Sequence, residues 1–197
     1  MNSTRRGFIA ASGASILFLL MSAVSATSLL TGCNPIDIFT QIAIYVPIGL
    51  AAVSGIVALI PGLGAAAPIL VLVKAGFADL LAAVQAYQAA PAADKATLLA
   101  KITLFLSDII TNFQAFIAAL SIPGPLAILV EALATLLIST LQAFLNKISA
   151  TPTPTQVHLR VAAKQVTVAA KYRTAKQFKA EYNATANAAG HSEIDIR

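Results

Sequence analysis

No charged residue occurs between Ile38 and Val73, a longer stretch than the roughly 18 apolar residues that mark a membrane-crossing helix. A run of that kind must be covered by protein or by lipid. It is not one uninterrupted span, because Pro47, Pro61, Gly62, Gly64 and Pro68 divide it. Pro61-Gly62-Leu63-Gly64 is turn chemistry. The run is therefore expected to form a first helix from about Ile36 to Ile60, kinked at Pro47. A second follows from about Ala67 to Ala89, with Pro68 in its first turn, where a missing N–H costs nothing.

The same punctuation continues. Ala90-Pro91-Ala92-Ala93-Asp94 breaks the chain, and Asp94 is placed to cap a third helix reaching about Leu120. Ser121-Ile122-Pro123-Gly124-Pro125 makes the next turn, and a fourth helix runs to about Ser149. Long helices joined by loops of a few residues pack against their sequence neighbours in opposite directions. The fold class expected is all-α: an antiparallel four-helix apolar bundle over residues 33–150.

Periodicity separates a watery exterior from a lipid one. In the third helix Leu98, Ile102, Phe105, Ile109, Phe113, Phe116 and Leu120 recur at three- and four-residue spacing, with Thr97, Lys101, Asp108, Thr111 and Ala115 opposite. In the fourth, Glu131, Thr135, Ser139, Gln142 and Asn146 form a polar stripe against a leucine-rich face. One-sided stripes are the mark of bundle helices with a wet side. Lys74 and Asp79 near the middle of the second helix would each cost up to about 3 kcal/mol at a bilayer centre. The first helix is apolar nearly all round, as expected for the most buried member of the bundle or for a membrane segment. Its Gly49, Ala51, Ala52, Ser54 and Gly55 admit a close neighbour in either setting.

The whole chain of 197 residues is 58% hydrophobic and 11% charged, far from the low-hydropathy, high-charge balance of disordered proteins. Its net charge of +5 is unevenly placed. Lys74, Lys95, Lys101 and Lys147 are outnumbered by Asp37, Asp79, Asp94, Asp108 and Glu131, whereas residues 156–197 carry Arg160, Lys164, Lys171, Arg173, Lys176, Lys179 and Arg197 against three acids. Thr151-Pro152-Thr153-Pro154-Thr155 separates the two parts as a stiff linker of polyproline character. Beyond it Val161-Ala162-Ala163-Lys164 is echoed seven residues later by Val168-Ala169-Ala170-Lys171. With the richness in alanine, this favours a basic helical tail from about Gln156 to Ala186. The alternation Val157, Leu159, Val161 also suits a short strand, and two units are too few for a coiled coil.

The first residues are a targeting segment. Arg5 and Arg6 precede an apolar stretch from Ile9 to about Leu30, the charged and hydrophobic regions of a signal peptide. Thr4-Arg5-Arg6-Gly7-Phe8-Ile9 resembles the twin-arginine export signal, with Ala10 where a lysine often stands in that family, which leaves the general secretory route as the alternative. Leu30-Thr31-Gly32-Cys33 resembles the bacterial lipobox. That resemblance implies cleavage after Gly32 and acylation of the Cys33 thiol, leaving residues 1–32 as the signal peptide. The twin-arginine resemblance implies export in the folded state, and the lipobox resemblance implies anchoring in the cell envelope. Asn34 rather than Asp follows the cysteine, which by the same resemblance points, in two-membrane bacteria, to the outer membrane; the alternative location is the outer face of a plasma membrane.

Other constellations carry less. Gly62-Leu63-Gly64-Ala65-Ala66-Ala67 matches the spacing of a dinucleotide fingerprint, but that motif needs a strand before it and an acid about 20 residues on. It reads as a helix-to-helix turn. His158 and His191 have no matching acid and nucleophile, a single Cys forms no disulfide within the chain, and no Glu-x-x-His motif marks a di-metal bundle. Neither catalysis nor a cofactor nor a metal is expected. The basic tail, with Tyr172 and Phe178 interleaved, would suit nucleic acid in a cytosolic protein; export removes that partner. What remains is a solvated face, or contact with an anionic lipid or wall polymer. The expected role is a non-catalytic, lipid-anchored envelope protein, with a carrier of a hydrophobic ligand and a membrane-inserting hairpin as alternatives.

Overall fold

A computed structural model describes residues 35–122, 124–149, 156–161 and 164–197. Its chain divides into two compact units, Met1–Gly32 and Cys33–Arg197. The second contains four long helices: α1 (Pro35–Ala58), α2 (Ala67–Ala89), α3 (Lys95–Ala118) and α4 (Gly124–Ile148). A hairpin of β1 (Gln156–Val161) and β2 (Lys164–Ala169) follows, then a shorter helix, α5 (Ala175–Ala188). The four long helices follow the punctuation closely. Proline stands in the first turn of α2, and Pro47 lies inside α1. Asp94 occupies the N-cap position of α3, but its side chain makes no capping hydrogen bond, so this helix starts without the cap its sequence offers.

Named contacts fix the directions. The Phe39 and Tyr87 rings lie 4.1 Å apart, and further along α1 a Cβ on Gly49 would come within 2.9 Å of Phe77. As α1 advances, its partner on α2 recedes, so the two are antiparallel. Lys95 sits over the Tyr87 ring at 5.2 Å while Gly76 abuts Ile109, making α2 and α3 antiparallel as well. The sequence of contacts closes with α3 on α4 and α4 on α1. Ile42, Ile56, Val73, Phe77, Leu80, Ile102, Leu106, Phe113, Phe116, Val130, Leu137 and Phe144 fill the interior. Burying each such side chain contributes roughly 1.5–3 kcal/mol before conformational entropy is subtracted.

Two expectations are corrected here. The tail is not helical from Gln156 to Ala186: residues 156–169 form an antiparallel hairpin whose register pairs Val157 with Val168 and Leu159 with Val166. The alternation of β-branched residues prevails over alanine content. The repeated Val-Ala-Ala-Lys is no heptad, because its first copy bridges the two strands and its second runs out of β2. Second, α4 and not α1 is the most enclosed helix: 78% of its most apolar stretch is buried, against 44% in α1. The reason is the C-terminal segment, which covers α4. The Thr151–Thr155 linker lies outside the described residues.

All four long helices are long and apolar enough to cross a membrane by length and composition. Their outer surfaces nevertheless carry Lys74, Asp79, Lys101 and Asp108, all exposed.

Candidate functional site

The polar stripe of α4 is where the chain does something its apolar pattern does not require. Ser139, Thr140 and Gln142 are buried, correcting the expectation of a wet face at Ser139 and Gln142; Glu131, Thr135 and Asn146 are half-buried. Buried hydroxyls must find partners or cost about 1–3 kcal/mol each. Ser139 Oγ and Thr140 Oγ1 both donate to the Leu136 carbonyl oxygen, at 3.0 and 2.9 Å. Their remaining lone pairs face the segment that leaves β2. Arg173 Nη1 donates to Ser139 Oγ at 2.7 Å and to Thr140 Oγ1 at 3.3 Å. The Lys171 backbone N–H donates to the Ser139 carbonyl oxygen at 3.0 Å.

Arg173 is thus one of the seven bases of the expected basic tail, yet it is only 7% exposed. Its Nε donates to Glu181 Oε2 at 2.7 Å, and Lys171 Nζ donates to the other carboxylate oxygen at 3.3 Å. Burial pushes the Glu181 carboxyl upward, but the hydrogen bonds and positive charges of Arg173 and Lys171 outweigh it and hold the group below its usual range. The planar guanidinium suits this place because its fork reaches a carboxylate on one side and two hydroxyls on the other.

What brings Glu181 into range is α5. Thr174 and Gln177 cap it reciprocally: the Gln177 N–H donates to Thr174 Oγ1, and the Thr174 N–H donates to Gln177 Oε1 at 3.0 Å. Thr-x-x-Gln is a sequence signature of a helix start, and it marks the true beginning of α5 at Ala175. The apolar side of α5 enters the bundle. Phe178 meets Tyr45 edge to face at 4.9 Å, and Tyr45 meets Phe144 in the same way at 5.2 Å. Tyr182 Oη donates to the Ala52 carbonyl oxygen at 3.2 Å. Gly55 permits this, since a Cβ there would collide with that hydroxyl. Lys147 Nζ caps the arrangement 3.5 Å above the Tyr172 ring. Asn183 then pins the C-terminus by accepting from the Ile196 N–H and donating to its carbonyl oxygen.

The basic residues therefore separate. Lys176 is exposed and Lys179 half-buried, Lys171 is exposed but engaged with Glu181, and Arg173 is internal. Arg160 stands opposite Gln165, and Lys164 opposite Val161, in the hairpin register. His191 Nδ1 lies 2.7 Å from Glu193 Oε1, a contact that holds the Glu193 carboxyl below its usual range. Among the described residues no group of three or more His, Cys, Asp or Glu is placed to hold a metal. Arg5, Arg6, Phe8, Leu30, Thr31, Gly32 and Cys33 lie outside the described residues. No protein-family model, curated protein or solved structure matches the chain.

Proposed function

We propose that this is an exported envelope protein, lipid-anchored through Cys33, whose folded body serves structure or interaction rather than catalysis. The observation that carries the reading is the motif Leu30-Thr31-Gly32-Cys33 standing directly ahead of the folded body, whose first helix begins at Pro35. Residues 1–32 have the composition of a removable leader; the body has its own core, so an acylated Cys33 would stand at its head. Two or more acyl chains suffice for stable attachment, and none of the four helices needs to cross the bilayer. Exposed Asp79 and Asp108 would each cost about 2.5–3.5 kcal/mol at its centre, which favours a bundle held beside the membrane.

The Arg173 cluster serves this body as a fastening. Its guanidinium is committed to Ser139, Thr140 and Glu181, leaving Lys176 and Lys179 as the free-standing bases of α5. A role for the tail as a continuous anionic-surface ligand is correspondingly weakened, and Arg160 and Lys164 of the hairpin would have to supply the rest. Intact-mass measurement of protein purified from membranes tests the anchor. A mature chain beginning at Cys33 and heavier than its sequence by a diacylglyceryl group is expected. A chain that retains residues 1–32, or begins at an unmodified Cys33, would overturn it. Cys33→Ser should abolish both the added mass and cleavage after Gly32.

A further inference from the structure

α2 and α4 have the same mean hydropathy, yet 78% of the most apolar stretch of α4 is buried and only 33% of that of α2. The difference lies in what covers them. The C-terminal hairpin and α5 lie over α4, whereas α2 packs against α1 and α3 and its far side is left open. Val71, Ala75, Ala78 and Ala82 are exposed along that side, Val71 by 65%, and Leu72, 55% exposed, borders them. Their spacing of four, three and four residues keeps one seam facing outward for about three turns, as the a and d positions of a heptad do.

Two opposite charges frame this seam. Lys74 and Asp79 are exposed, and among the described residues neither has an ion-pair partner. Five residues separate them, about 140° around the helix axis and about 7.5 Å along it, so each stands at one edge. Lys74 is a turn from Phe77, which abuts α1, and Asp79 a turn from Gly76, which abuts α3. The lysine edge is therefore the α1 edge, and the aspartate edge the α3 edge. When two such helices run parallel about a two-fold axis, the g side chain of one meets the e side chain five residues further along the other. Lys74 of each copy then meets the partner's Asp79. Turned antiparallel, the two lysine edges would face one another and both pairs would be lost.

The size of the face suits a second copy. Alanine at three of the four seam positions lets the helix axes approach to about 8 Å, which draws in the near sides of α1 and α3. A strip about 35 Å long and about 20 Å wide offers on the order of 700 Å² per copy and about 1,400 Å² per pair, within the range of stable interfaces. Lipid is the poorer cover, because Lys74 and Asp79 would each enter it unpaired, at a cost of up to about 3 kcal/mol.

We infer that the outward face of α2 is a self-association surface, which joins two copies of this chain in parallel about a two-fold axis running along the bundle and pairs Lys74 of each with the partner's Asp79. The parallel direction puts Pro35, two residues after Cys33, at the same end of both copies, so two chains anchored through Cys33 can associate in one membrane. The association itself requires no acylation.

The test uses residues 33–197, which contain the whole described fold, carrying Cys33→Ser so that no acyl chain contributes. Sedimentation equilibrium should give a dimer. Lys74→Asp and Asp79→Lys should each weaken it at least tenfold, with the circular dichroism spectrum unchanged. Lys74→Asp combined with Asp79→Lys should restore it, since every pair is then present in reverse. An equal mixture of the two single variants should form a heterodimer. Ala78→Cys should form a disulfide with its own counterpart in air, because a d position faces itself across a parallel seam. Ala100→Cys, exposed on α3, should not. A chain that sediments as a monomer up to about 1 mM, single variants as dimeric as the wild type, or a double variant without restoration would overturn the surface. So would Ala78→Cys that links only to Ala75→Cys, the antiparallel result. Loss of binding to phosphatidylcholine vesicles in Val71→Asp, with sedimentation unchanged, would assign the face to lipid and overturn it as well. None of these outcomes depends on whether Cys33 is acylated in the native protein.

Discussion

Arg173 Nη1 and Ser139 Oγ are 2.7 Å apart, joining residues from the C-terminal segment and from the interior of α4. This contact explains why the polar stripe of α4 is dry at Ser139, between half-buried Thr135 and Asn146. It also explains why Arg173, in a segment rich in bases, has no solvated face of its own. The stripe and the guanidinium are two halves of one buried polar junction, and each satisfies groups that the other would leave unpaired.

Arg173→Met should therefore be costly. It strands the hydroxyl lone pairs of Ser139 and Thr140 and leaves Glu181 with Lys171 alone, for a loss of about 3 kcal/mol in denaturant unfolding. Arg173→Lys should rescue little of it, because an ammonium cannot span both sides of the junction as the guanidinium fork does.

The seat of α5 on α1 makes a second test. Tyr182→Phe removes the hydrogen bond to Ala52 and should cost about 1 kcal/mol. Gly55→Ala should also destabilise, by about 1–2 kcal/mol, because its methyl collides with the Tyr182 hydroxyl and overpacking outweighs the gain in helix propensity. The double variant should be more stable than the sum of the two losses, since deleting the hydroxyl removes the collision.

Acid should loosen the same junction. The Glu181 carboxyl is held below its ordinary value in the folded chain, so its contribution is present above the unfolded value of about 4.3 and fades as pH falls through the folded one. Denaturant midpoints measured from pH 6 down to pH 2 should fall more steeply for the wild type than for Glu181→Gln. Identical slopes would mean that Glu181 gains nothing from Arg173 and Lys171.

The long helices were legible because proline, glycine and apolar period all mark the same boundaries; Ala67–Ala89 is read from the Pro61–Gly64 turn, Pro68 and Pro91. The wet side of α3 was legible too, since Lys101, Asp108 and Thr111 are exposed as their spacing implies. Ser139 and Gln142 misled because a periodic stripe reports which residues face away from the bundle, and not what else the chain lays over them. The partner of the stripe lay more than 30 residues on, in a segment whose alanines pointed to helix. Two local signals there identify the structure: the β-branched alternation from Val157 to Val168 and the Thr174-x-x-Gln177 capping pair. Gly55 and Ala52 stood out as small residues, but only the fold shows that the Tyr182 hydroxyl is what comes close.

Whether the C-terminal segment is built into the bundle or trails from it is decided most directly by amide hydrogen exchange on the intact mature protein. Amides of α5 from Phe178 to Ala186 should exchange slowly, with protection approaching that of Leu133 to Leu145 in α4, and Arg173→Met should release both stretches to faster exchange. Exchange of α5 at the rate of an unstructured peptide, with α4 unaffected by Arg173→Met, would contradict the docked segment and return the basic residues to a free tail.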